Sequence, residues 1–141
     1  MNILKIKTEK REIGSIGEDA AVKLLKKCGY KILKRNYTAV GNEIDVIVQN
    51  KEYIVFVEVK TRTLEGEQMP FVRPAAAVTP EKQRRIIKTA KFFLGTYPKG
   101  RMVRFDVVEV YLDKNKKVHS TSHLEGAFNY NTAHPVCKLP Y

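Results

Sequence analysis

The stretch EIDVIVQNKEYIVFVEVKTR, residues 43–62, constrains the fold more than any other part of the chain. Two runs dense in Val and Ile flank a short polar turn. Strands of that composition form the middle of a sheet with both faces covered. The turn is expected at Asn50-Lys51, which sets Asp45 opposite Phe56 and Glu43 opposite Glu58. Alternation then places Ile44, Val46, Val48, Tyr53, Val55, Val57 and Val59 on one face. The other face carries Glu43, Asp45, Ile47, Ile54, Phe56, Glu58 and Lys60.

That second face is apolar near the turn and charged at the far end. A hairpin with one solvated face would be polar along its whole length. Like charges gathered on neighbouring strands are unfavourable unless a cation separates them. A hard divalent cation suits carboxylate oxygens, so Mg²⁺ is the expected cofactor, with Mn²⁺ as a substitute. Asp45 and Glu58 could close on one ion. Lys60, two residues beyond Glu58, points into the same space. An ammonium there can hold an attacking water and offset charge on a phosphate, or simply pair with Glu58.

Around this hairpin the chain reads as one domain over residues 1–128, with a C-terminal tail at 129–141. After a basic arm, residues 12–28 show helical spacing: Ile13, Ile16, Ala20 and Leu24 form a stripe, with Ala21, Leu25 and Cys28 beside it. Gly29 is the expected stop. A strand is expected near 30–37, then the loop TAVGN, then the two rich strands at 43–49 and 52–61. Residues 62–78 read as a long loop. Thr79-Pro80 opens a second helix with a hydroxyl N-cap and Pro at the first position. Its apolar side is Ile86, Ile87, Ala90, Phe93 and Leu94, and Gly95 and Pro98 end it. A strand over MVRFDVVEVYL follows, with a weaker one near 118–124. The order α-β-β-β-α-β predicts an α/β fold: a mixed central sheet flanked by helices.

Composition bears on partners. Lys and Arg number 26 against 15 Asp and Glu, a net charge of +11. Such an excess favours a polyanion, and nucleic acid is the expected partner. Lys82, Arg84, Arg85 and Lys88 cluster on the second helix, with Arg62 and Arg73 from the preceding loop. Contacts from such residues to phosphate give affinity and register rather than sequence preference. Cys28 and Cys137 lack metal-ligand spacing and are expected as free thiols. The N-terminus lacks the apolar run of a signal peptide, and no segment carries the roughly 18 apolar residues that span a membrane. A soluble cytoplasmic protein without membrane association is expected. Self-association as a homodimer is left open.

The acid that closes one strand and the E-V-K of the next resemble the PD-(D/E)XK, or restriction-endonuclease-like, superfamily. GSIGEDAAVKLLKKCGYKILKRNY, GNEIDVIVQN, FVEVKTR, AVTPEKQRRI and RFDVVEV together resemble the YraN family of endonuclease-like proteins. The first helix and the hairpin are also similar to archaeal Holliday-junction resolvases. This resemblance implies an αβββαβ core and Mg²⁺-dependent cleavage of phosphodiester bonds in structured or branched DNA. It implies that Asp45, Glu58 and the Val59 carbonyl hold the metal and that Lys60 is the motif lysine. It further implies Glu18 of GEDAA as an acid supplied by the first helix, and Gln83 of EKQRR as a contact from the second. Glu43 stands where the superfamily motif has proline. Asp106 in RFDVV is similar to a family position, or is one residue of an alternating strand. The rival reading is a non-catalytic nucleic-acid-binding protein that retains the nuclease fold.

Overall fold

A computed structural model describes residues 2–64, 78–97 and 99–129. Two helices sandwich one five-stranded sheet. The elements are α1 (Ile3–Lys27), β1 (Lys31–Ala39), β2 (Asn42–Gln49), β3 (Tyr53–Thr63), α2 (Pro80–Leu94), β4 (Met102–Leu112) and β5 (Val118–Phe128). The strands lie in the order β1-β2-β3-β4-β5, antiparallel except for the parallel pair β3–β4. The chain is therefore a mixed α/β fold with the expected order of elements. The weak last strand is a full edge strand running to Phe128. Residues 130–141, the rest of the expected tail, lie outside the described residues.

The Val- and Ile-rich runs are explained by burial on both faces. Val46, Val48, Val55, Val57, Val108, Val110 and Leu112 pack under Ala21, Val22 and Leu25 of α1. Ile47, Ile54, Phe56, Phe105, Val107 and Phe128 pack under Ile86, Ile87, Ala90 and Phe93 of α2. Each such side chain contributes about 1.5–3 kcal/mol of hydrophobic stabilisation when fully covered, so the two clusters fix the sheet between its helices. Phe93 anchors α2 by edge contacts to Tyr37 and Phe56, with ring centroids 5.2 and 5.9 Å apart.

Helix α2 starts as its sequence requires. Thr79 caps it by accepting the Lys82 N–H at 3.2 Å, and Pro80 opens the first turn. Helix α1 starts earlier than the apolar stripe suggested. Asn2 accepts the Leu4 N–H at 3.0 Å, and the helix is continuous from Ile3. Residues 3–11 carry no Gly or Pro to stop it, so the expected basic arm is helical.

The hairpin turn differs from expectation by one position. The loop residues are Lys51 and Glu52. Asn50 precedes them, and its side-chain oxygen accepts the N–H groups of Glu52 (2.9 Å) and Tyr53 (2.7 Å). Asn is favoured there because its side chain can cap the following turn. The ladder consequently pairs Val46 with Val57, Ile47 with Phe56, Val48 with Val55 and Gln49 with Ile54. This moves the register by two residues. Facing survives, because the side-chain period is also two. The TAVGN loop is tighter than expected: Ala39 pairs with Asn42, and only Val40 and Gly41 turn, with φ of 47° and 76°. That is the left-handed pair required by a type I′ hairpin.

Candidate active site: four carboxylates and two lysines between sheet and helices

The β2–β3 pairing stops at Val46 and Val57. Beyond that point Asp45 replaces the backbone as partner: its Oδ2 accepts the Val59 N–H at 2.8 Å. Continuing the register sets Asp45 across from Glu58. Glu43 is thus not opposite Glu58. It pairs with Thr38 on β1.

A second irregularity shapes the same corner. Asn36 of β1 has φ of 50°. On one side of it Arg35 reaches Asp19 of α1 at 2.8 Å, and on the other Tyr37 packs on Phe93 of α2. Strict alternation would put both on one face. Ile44, the partner of Tyr37, follows it into the α2 cluster, while Val46 stays in the α1 cluster. The expectation that Ile44 and Val46 share a face therefore fails at this twist. In the orientation that satisfies both neighbours, the Asn36 amide nitrogen donates to Glu43 (3.0 Å) and Glu18 (3.2 Å).

Helix α1 delivers Glu18 through a close approach. A Cβ on Gly17 would lie 1.8 Å from the Thr61 hydroxyl oxygen, so only Gly lets α1 sit this near β3. The next residue, Glu18, meets the hairpin acids. Glu18, Glu43 and Asp45 each bring a carboxylate oxygen within 4.8 Å of the others.

Glu58 is the most enclosed of the four acids, only 5% exposed. Two ammonium groups meet its Oε1: Lys60 at 3.6 Å from the same strand and Lys82 at 2.9 Å from α2. Asp45 has no such counter-ion among the described residues. Burial first, and then the Glu58 carboxylate, push the Asp45 carboxyl up to about 8. The Asp45 carboxyl therefore keeps its proton to near pH 8, beside a Glu58 that faces both lysines. Burial and Glu43 likewise raise Glu18. Burial alone would depress the Lys82 ammonium, but its hydrogen bond to Glu58, reinforced by the charges of Glu58 and Asp45, raises it. The site is short of positive charge, in the form that a divalent cation corrects.

The other expected residues are placed as follows. Gln83 is buried beside this corner on α2, and its amide nitrogen donates to the Val78 carbonyl at 2.9 Å. Its oxygen has no hydrogen-bond partner among the described residues. Among the described residues no hydrogen bond joins Gln83 to the four acids. Arg62 lies 3.6 Å from Glu109, a buried acid of β4 that also accepts the Tyr111 hydroxyl. Glu109 is raised by burial. Arg85 pairs with Glu81 at 2.5 Å one turn back, whereas Arg84 and Lys88 are exposed on α2. Arg73 lies outside the described residues. Asp106 belongs to a separate cluster. It accepts from Arg104 (2.8 Å twice) and Gly126 (3.0 Å) and contacts His123 at 2.7 Å. Burial works to raise Asp106, but hydrogen bonds from His123, Arg104 and Gly126 hold it below the usual carboxylate range. It is fully engaged and reads as structural.

Sequence reasoning missed three contributors. Lys82 was assigned to a phosphate-binding surface, yet it lies one turn before Ile86, Ala90 and Phe93 on the apolar stripe of α2, a position that faces the sheet. Gly17 lies on the buried side of α1 with Ala21 and Leu25. Asn36 carried no signal.

Residues 17–110, from the packing glycine to β4, match the family described as "Uncharacterised protein family UPF0102". The chain is 42% identical over 120 residues to a UPF0102 protein of Caldicellulosiruptor saccharolyticus, covering 84% of this chain and 98% of that one. It is 47% identical over 105 residues to one from Chloroherpeton thalassium (74% and 78%), and 40% identical over 119 residues to one from Dictyoglomus thermophilum (84% and 98%). The matched span holds Glu18, Glu43, Asp45, Glu58, Lys60 and Lys82, and the chain belongs to the UPF0102, YraN-type, family.

Proposed function

We propose that this chain is a Mg²⁺-dependent endonuclease that hydrolyses phosphodiester bonds in structured or branched DNA. One observation carries the reading: Asp45, an acid without a counter-ion among the described residues, is held against buried Glu58 where the β2–β3 ladder opens, with Lys60 and Lys82 aimed at the same spot. A purely structural cluster would be neutralised, as Asp106 is by Arg104.

The donor set fits a hard cation, since it consists of oxygens alone. Asp45 and Glu58 would hold it. The Val59 carbonyl would join them, because an extended residue points its N–H and C=O to the same edge, and the Val59 N–H already faces Asp45. Once bound, the cation supplies a Lewis acid for the phosphate and a lowered pKa for water. The chain's own residues do the rest. Lys60, partly exposed, faces the space above Glu58 and can orient a water toward phosphorus. Lys82 moves from Glu58 to a phosphate oxygen when the carboxylate is otherwise engaged, offsetting the charge that develops there. Glu18 raises the negative charge of the site and can accept the water's proton.

The test is cleavage of labelled four-way junction, flap and plain duplex DNA with and without Mg²⁺ or Mn²⁺. The rival, a DNA-binding protein without catalysis, is favoured by the Lys82–Glu58 contact, which already neutralises one ligand. It expects binding of the same DNA, no cleavage, and no stabilisation of the chain by Mg²⁺.

A further inference from the structure

The basic cluster expected on α2 is largely engaged. Lys82 holds Glu58, Arg85 pairs with Glu81 and Arg62 lies against Glu109. Lys88 stays exposed on α2, and further exposed positive charge lies on the N-terminal part of α1.

Helix α1 has 25 residues and is about 37 Å long at 1.5 Å per residue. Its buried residues, Gly17, Ala21, Val22 and Leu25, all fall in the C-terminal half. Ile3 is 69% and Leu4 74% exposed. The first two turns therefore carry no buried residue, and in the third Glu12 meets Lys116 of the β4–β5 turn at 3.0 Å and Ile13 packs against the α1 cluster. Gly17 against Thr61 fixes where the helix sits, and Glu18 fixes which side of it faces the acids.

From Glu18 toward the N-terminus, Gly14, Arg11 and Lys7 follow at spacings of four, three and four. That is one stripe of an α-helix. Gly14 leaves the stripe open next to the site. Arg11 and Lys7 are exposed and have no ion-pair partner among the described residues. Along the axis they stand about 10 and 16 Å from Glu18. A DNA strand advances about 3.4 Å per phosphate, so these distances correspond to roughly three and five steps along a strand.

We infer that the N-terminal part of α1 is a rail for one arm of the DNA substrate. Arg11 and Lys7 contact backbone phosphates on one flank of the bond to be cut. The inference rests on the nuclease reading for the position of that bond, and on charge and helix geometry for the rail itself. Nucleic acid is favoured over an anionic membrane because the stripe is continuous with the carboxylate site, where Glu18, Glu43 and Asp45 would repel an anionic lipid surface unless a cation stood between them; Leu4 and Ile3 continue the stripe beyond Lys7, so the membrane is carried as an outcome of the test.

The experiment compares the full chain with Lys7→Ala/Arg11→Ala and with Lys23→Ala/Lys27→Ala, an equal loss of charge at the other end of α1. Affinity for a labelled four-way junction is followed by fluorescence anisotropy between 50 and 200 mM KCl, in Ca²⁺ to suppress cleavage. Each lost phosphate contact flattens the slope of log K against log salt by about 0.9. The Lys7/Arg11 variant is expected to lose about 1.8 in slope and about 30-fold in affinity at 0.15 M salt, the control pair much less. Equal losses in the two variants, or none in the first, overturn the rail. So does binding of phosphatidylserine vesicles that is lost in the first variant while junction binding is kept. Thermal shift with Mg²⁺ on the same samples keeps the two ideas apart. A wild-type shift in both variants with unchanged DNA affinity removes the rail and leaves the metal site. A wild-type chain that neither shifts nor binds DNA removes both.

Discussion

Replacing Asp45 by Asn is expected to stabilise the metal-free protein. Asp45 ordinarily ionises near 3.8 and is pushed up to about 8 by burial and Glu58. The folded state therefore holds a proton that the unfolded chain releases between pH 4 and 8. Stability from this group is complete below about pH 4 and is lost as pH rises toward 8. At pH 7 the lag is about three units, which at 1.36 kcal/mol per unit sets a ceiling of about 4 kcal/mol. Relaxation of the partly exposed corner lowers this to about 1–3 kcal/mol, or about 3–9 °C in Tm for a chain of this size. Asn removes the charge and keeps an oxygen for the Val59 N–H, so the hydrogen bond survives. Thermal unfolding in chelator at pH 4.5, 6 and 8 should show wild type falling with pH and Asp45→Asn nearly flat, with a crossing at the acid end. Added Mg²⁺ should stabilise wild type by roughly RT ln(1 + [Mg²⁺]/Kd) and the variant far less. A variant less stable than wild type at pH 8 in chelator, with equal Mg²⁺ shifts in both, would refute the charge argument and the metal site with it.

Lys60→Met should keep the Mg²⁺-induced thermal shift and lower single-turnover cleavage by about 10²–10³, because Lys60 meets Glu58 at 3.6 Å and is no ligand; cleavage at the wild-type rate removes Lys60 from the reaction. Lys82→Met should move three readouts in different directions: metal-free stability falls by about 1–2 kcal/mol as buried Glu58 loses its nearest partner, the Mg²⁺ midpoint shifts to lower concentration, and cleavage weakens. A raised Mg²⁺ midpoint in a titration followed by Tm contradicts the competition between Lys82 and the cation. Gly17→Ala should cost about 2 kcal/mol or more through the clash with Thr61, and Thr61→Gly in the same chain should recover most of it; additive losses in denaturant unfolding rule out the close approach as the cause.

Asp45, Glu58 and Lys60 were legible because strand alternation is robust to the error actually made. The turn moved from Asn50-Lys51 to Lys51-Glu52, the register moved by two, and the three side chains kept their common site. The identity of opposed residues was not legible, since it depends on the turn. Glu43 was set against Glu58, and it is Asp45 that lies there. The grouping of Ile44 was not legible either, because Asn36 adopts a left-handed conformation that no local pattern in KRNYT announces. The helices show the same division. Apolar spacing found Ile86, Ile87, Ala90 and Phe93. It could not say that Lys82, on the same stripe, would find a buried carboxylate beneath it, because that depends on where β3 passes under α2.

The meander β1-β2-β3 is continuous in sequence, whereas α2 reaches the sheet only with the parallel crossover to β4. Local hairpins close quickly, and parallel pairs wait on longer loops. Asp45 and Glu58 are therefore brought face to face while Lys82 is still unattached. Burial, the first cause of the raised Asp45 carboxyl, is thus completed only when the helices cover the sheet, so the charge conflict at this corner belongs to the finished fold and not to the hairpin alone. A chain emerging from a ribosome meets the same order of events, with Lys60 synthesised beside Glu58 and the nearer partner, Lys82, following only with α2.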